Sequence, residues 1–279
     1  MTQPMERAYH MAARAVRRRL AEQRPADLAR LDSLCGRDVV AFKGTYDQAE
    51  ETLKVLGVPA TVEPGDANAA LRRARVAFVN CANGYDAKLV EALAGFVNDG
   101  GQLVTSDWAL DGVIEKAFPG LVRWNRKGTS TETVGVEPAA DSLWSDVVVL
   151  GADPQWWLWG SHPVEVVDRE RVRVEAASHD LLVKYDAPAV AVAFGWGRGR
   201  VFHVISHFWA KTTATPTPRH QGTAEDFLRA GMRLSEAGIA DVLTNAGKDA
   251  ETVNFAALQS AVTATELVAQ LCARSAAAA

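Results

Sequence analysis

Four side chains in this 279-residue sequence pair reactive chemistry with a position at the end of an apolar run: Cys81, Ser106, Asp107 and His207. An aspartate beside a histidine can act as an acid–base pair, can bind a metal with a third ligand such as His162, or can be a structural hydrogen bond. Cys81 follows the run Val76-Ala77-Phe78-Val79-Asn80. Its thiol could serve as a nucleophile if an imidazole lowered its pKa, although burial as an inert thiol is the commoner fate of such a residue. Ser106 precedes a helical stretch whose first amides need acceptors, so it reads as a capping hydroxyl. His203 is in phase with His207 along one run and reads as a satisfied core histidine, while His10, His179 and His220 sit in no motif.

What must position these groups is a stretch from Val76 to Leu110. It contains two apolar runs joined by an amphipathic segment, with Leu89, Leu93, Phe96 and Val97 at helical spacing and Asn98-Asp99-Gly100-Gly101 as the stop. This predicts a parallel β-α-β unit. In open parallel sheets ligands sit beyond the carboxyl ends of the strands. The candidate ligand-binding residues are therefore Lys43, Thr45 and Tyr46 after the first strand, Asn80, Cys81 and Asn83 after the third, Ser106 and Trp108 after the fourth, and Trp209 after the late strand. Asp107 and His207 are the candidate catalytic pair at the same edge. Trp156, Trp157 and Trp159 could form an aromatic platform for a sugar ring or a nucleobase, or could be core packing.

Upstream, strands at 38–42 and 60–62 alternate with helices, the signature of a layered α/β sheet. Residues 4–22 form an amphipathic helix with Arg7, Arg14, Arg17 and Arg18 largely off its apolar face, read as a peripheral helix or as a basic docking surface for an acidic partner. Pro25 opens a short second helix. From Arg123 helical periodicity disappears, and runs at 146–150, 156–159 and 172–174 predict a strand-rich, Trp-containing insertion or lid over about 123–180. Residues 181–185 and 189–194 read as strands, the latter turning through Gly195-Trp196-Gly197-Arg198-Gly199 into the strand 201–205. Helices are predicted at 224–235 and 254–273. The resulting division is an N-terminal helical extension (1–37), an α/β domain (38–235) and a C-terminal helical extension (236–279).

Composition narrows the function classes. The net charge of −4 gives no reason to expect nucleic acid or an anionic membrane as a partner. Three widely spaced cysteines favour a reducing compartment, and with no signal-peptide core and no apolar run of roughly 18 residues, a cytoplasmic protein is expected. Gly195-x-Gly197-x-Gly199 is no phosphate loop, because a strand rather than a helix follows it.

The segment Val192-Ala193-Phe194-Gly195-Trp196-Gly197-Arg198-Gly199-Arg200-Val201-Phe202-His203-Val204-Ile205-Ser206-His207, together with the order of elements, resembles the class I glutamine amidotransferase-like superfamily, in particular its trehalose-utilisation-type (ThuA-like) branch. The likeness covers residues 38–235. It implies a flavodoxin-like three-layer sandwich with a mostly parallel central sheet. In amidotransferases a strand delivers a cysteine nucleophile on a sharp turn and a late histidine serves as its base. Here the matching turn is Thr105-Ser106-Asp107-Trp108-Ala109, so the resemblance puts Asp107 at the nucleophile's place, and Phe208-Trp209 replaces the usual Pro-Glu after the histidine. Two of the three parts of a glutaminase are gone. The expectation is a catalytically degenerate relative that binds a small polar ligand or a protein partner, with no cofactor and no metal assigned and a homo-oligomer possible. The alternatives are a hydrolase or sugar-modifying enzyme using Asp107 and His207, and a scaffold docking through the first helix.

Overall fold

The computed structural model describes residues 3–81, 85–140, 142, 154–214 and 217–277. Its centre is a run of parallel strands in the order β2 (Thr61–Val62), β1 (Val39–Phe42), β3 (Val76–Val79), β4 (Gln102–Ser106) and β12 (Gly199–Val204). Every residue of β1 and β3 is buried, because helices cover both faces of the sheet and such strands have no polar side. Helix α5 (Ala87–Asn98), capped by the Asp86 carboxylate on the Leu89 amide, packs with α4 (Ala67–Leu71) and against β4 and β12. Helix α3 (Ala49–Leu56) packs instead with the first helix, α1 (Gln3–Gln23), and the last, Phe255–Ala277, as does α2 (Pro25–Asp32) with both. The chain is thus an α/β sandwich with a mixed sheet.

On the far side of β12 the sheet turns antiparallel. β11 (Ala189–Trp196) pairs with β12 through the glycine hairpin, and β10 (Val172–Ala177) pairs with β11. Much of the expected insertion therefore belongs to the main sheet: β9 (Val164–Val166) pairs with β11, and β5 (Val122–Trp124) with β9. Among the described residues, only β6 (Thr131–Gly135) and β8 (Gln155–Trp159) stand apart as a two-stranded ribbon, and the run at 146–150 lies outside them.

Residues 181–185 are not a strand. They belong to a helix, His179–Tyr185, that ends on left-handed Asp186 (φ 58°), and its apolar Leu182 and Val183 point outward. Nor is α1 peripheral. Met5, Ala8, Tyr9, Met11, Ala12, Val16 and Leu20 are buried, and its cations are used within the molecule. Arg7 pairs with Asp249, Arg17 with Asp32 (2.6 Å) and Arg18 with Glu22 (2.8 Å). Arg19 reaches both oxygens of the fully buried Glu266 on the last helix (2.6 and 2.7 Å), clamping the two terminal helices together. Among the described residues, no helix is long and apolar enough to cross a membrane.

Candidate functional site

β4 and β12 are adjacent and parallel, with Ser106 opposite Val204, so the residues just beyond them leave the sheet side by side. One is Asp107. Its amide bonds the Val204 carbonyl (2.8 Å), and its φ of 44° places it in the left-handed region, which aspartate tolerates better than most residues. The chain then turns into a π-helical stretch, Leu110–Ile114, that continues as Glu115–Ala117. This sharp strand-to-helix elbow is the geometry that presents nucleophiles in α/β enzymes, and here it presents a carboxylate. Three residues past β12, His207 brings Nε2 to 3.2 Å from Asp107 Oδ2, near enough for charge pairing but misaligned for a hydrogen bond. Both side chains are buried. Burial opposes charge on the imidazole, but the Asp107 and Asp47 carboxylates outweigh it and hold the His207 pKa above the usual value.

Cys81 joins the pair. Its amide donates to Ser106 Oγ (2.8 Å), so Ser106 ties two strand ends together rather than capping the helix. One ligand atom each from Cys81, Asp107 and His207 lies within 4.8 Å of the others. Burial and the negative charge of Asp107 push the Cys81 thiol well above its ordinary pKa. Such a shift disfavours the thiolate, which is the nucleophilic form of cysteine.

The Trp-rich segment closes over this cluster. After β8 the chain turns at Gly160 (φ 59°), whose carbonyl accepts from Trp108 Nε1 (2.9 Å). Ser161 Oγ donates to Asp107 Oδ2 (3.0 Å) and the His162 amide to Oδ1 (2.9 Å), while Trp156 Nε1 donates to the His207 carbonyl (3.1 Å). The His162 ring turns away from Asp107. It bonds Asp111 Oδ1 (2.8 Å) and stacks between Trp124 and Trp108, so it is not the third metal ligand considered from the sequence. Its bond and charge outweigh the effect of burial and keep the Asp111 carboxyl below its usual pKa.

Other predicted residues part company here. Asn80 is consumed inside the fold: its Oδ1 accepts from the Ala49 amide, and its Nδ2 donates to the Phe42 carbonyl and to Glu50. Trp209 is buried against Tyr9 (ring centroids 4.0 Å apart) on the α1 side. Neither faces the crevice. Asn83 lies outside the described residues. Lys43 and Thr45 are exposed in the β1–α3 loop, which Gly44 lets lie against Cys81: a Cβ on Gly44 would fall 2.1 Å from the Cys81 carbonyl oxygen. Tyr46 sits at the rim, edge-on to Trp108 (5.4 Å) and to Trp159 (5.5 Å). Trp159 is 41% exposed, and Lys211 Nζ lies 4.8 Å from its ring centroid.

Sequence reasoning missed Asp47. It is fully buried, and its two oxygens accept the amides of Phe208 (3.1 Å) and Trp209 (3.0 Å), fixing the segment that carries His207. The signal available was an acidic residue at the mouth of a helix; nothing in the local pattern showed which distant amides it would serve.

No family model matches the chain, and neither does any curated protein. Among solved structures it is similar to a β-galactosidase from Rahnella sp. R3, at 13% identity and a TM-score of 0.47, over 61% of this chain and 28% of that one. It is also similar to a protein from Bacteroides uniformis that has been called ThuA-like (12% identity, TM-score 0.44, 62% of this chain and 82% of that one). A third is a cytoplasmic protein from Salmonella typhimurium (14% identity, TM-score 0.42, 63% and 91%). The chain spans under a third of the length of the glycosidase. Likenesses of this strength establish neither a family nor an activity.

Proposed function

We propose that this protein is a non-catalytic binding module whose aromatic rim, formed by Tyr46, Trp159 and Lys211 at the carboxyl edge of the sheet, takes a small polar ligand that presents a ring face. The observation that carries this reading is the exposed Trp159, a large aromatic left facing solvent beside Tyr46 and a lysine, directly above an elbow that is itself closed. A partly exposed aromatic supplies stacking area at little entropic cost, and a flanking cation and hydroxyl supply orientation. The elbow beneath argues against hydrolysis of glutamine: the side chain on it is a carboxylate whose two oxygens are engaged by Ser161 and His162, and the neighbouring thiol is held protonated. A hydrolase built on Asp107 and His207 would need both groups to meet substrate, and both are buried.

The test is a fluorescence titration of the intact protein with a panel of neutral sugars, acidic sugars and nucleosides, run beside Trp159→Ala. Saturable quenching by one class, lost in the variant, supports the rim. Silence across the panel, or quenching that Trp159→Ala leaves unchanged, refutes it.

A further inference from the structure

Beneath the rim, Cys81, Asp107 and His207 offer a sulfur, an oxygen and a nitrogen donor from the ends of three neighbouring parallel strands, all buried and all within 4.8 Å of one another. We propose that these three residues form a structural site for a zinc-type divalent cation. The donor set is the borderline mixture that zinc takes, and the tetrahedral bond lengths imply donor separations of roughly 3.3–3.8 Å, close to the 3.2 Å between His207 Nε2 and Asp107 Oδ2.

A second observation points the same way. Both ring nitrogens of His207 are buried without a hydrogen-bond partner, and Nε2 is aimed into the cluster. A buried imidazole without hydrogen bonds has given up those it made in water, and a metal bond at Nε2 would replace one of them. Charge closes as well. Binding releases the Cys81 thiol proton to solvent, and any proton on His207 with it, leaving a thiolate, a carboxylate and a neutral imidazole around a dication with zero net charge. That balance is what a buried site requires. The outer shell is already in place: the His162 amide and Ser161 Oγ hold the Asp107 carboxylate. The site does not depend on the rim ligand.

The experiment uses the full chain, unfolded in chelator and refolded with or without one equivalent of zinc or cobalt. Native mass spectrometry is expected to show one zinc per chain, and the cobalt form to show a thiolate-to-cobalt charge-transfer band. Cys81→Ser should abolish the band, and His207→Asn should weaken binding by more than the roughly 10–100-fold typical of losing an outer-shell partner. Cys35→Ser and Cys272→Ser should leave both unchanged. A wild-type protein that refolds to its native circular dichroism yet takes up neither metal overturns the proposal. So does a cobalt spectrum without thiolate character, a reading that needs no variant to fold.

Discussion

Acid should weaken this protein through His203. The ring is fully buried in β12, with Nδ1 2.9 Å from Thr105 Oγ1, and burial, reinforced by the positive charge of His162, lowers its pKa from 6.5 to about 3. The unfolded chain takes up the proton below 6.5 and the folded chain does not, so this contribution to stability is complete above that pH and is lost as pH falls toward about 3. Each pH unit in the window removes about 1.4 kcal/mol, so by pH 5 the loss is about 2 kcal/mol. Urea unfolding at pH 7, 6 and 5 should be run on the wild type and on His203→Gln, which keeps a partner for Thr105 and cannot titrate there. The variant starts lower at pH 7, but its stability falls less steeply, and the difference in slope isolates His203 from the carboxylates. Parallel slopes, or a His203 ring that titrates near 6.5 by NMR, would refute the reasoning.

Other perturbations follow from single contacts. Arg19→Ala removes the cation paired with the buried Glu266 carboxylate and should cost about 3–5 kcal/mol in urea unfolding, whereas Arg19→Met with Glu266→Gln should cost clearly less. Ser161→Ala removes a hydroxyl donated to the buried Asp107 carboxylate and should cost about 1.5–3 kcal/mol by thermal unfolding, with faster proteolysis in the 154–162 segment. Gly44→Ala drives a methyl into the Cys81 carbonyl oxygen and should destabilise by about 1–3 kcal/mol, while Gly65→Ala, which meets nothing, should stay near wild type.

The parallel core was legible because its strands are buried on both faces and stand out as unbroken apolar runs between amphipathic helices. The meeting of Asp107 and His207 could be anticipated for the same reason, since both follow such runs and parallel neighbours end at one edge. What escaped was non-local. Nothing in the sequence around Val122 or Val164 shows that these short strands extend the main sheet, and nothing around Asp47 shows that it receives the amides of Phe208 and Trp209. Leu181 to Tyr185 misled because Leu182 and Val183, which look like strand residues, are the exposed side of a helix. Topology alone points Asn80 and Trp209 toward the crevice, whereas the interior claims both side chains.

On the proposed reading the elbow is shut and its neighbouring thiol inert. Alkylation of the native protein with iodoacetamide, read residue by residue by mass spectrometry, tests it most directly, because exposed Cys35 supplies the internal reference for buried Cys81 and Cys272. Modification of Cys35 alone is expected until the chain is unfolded. Labelling of Cys81 in the folded protein at a rate comparable to Cys35 would contradict it and would restore a reactive thiol beside His207.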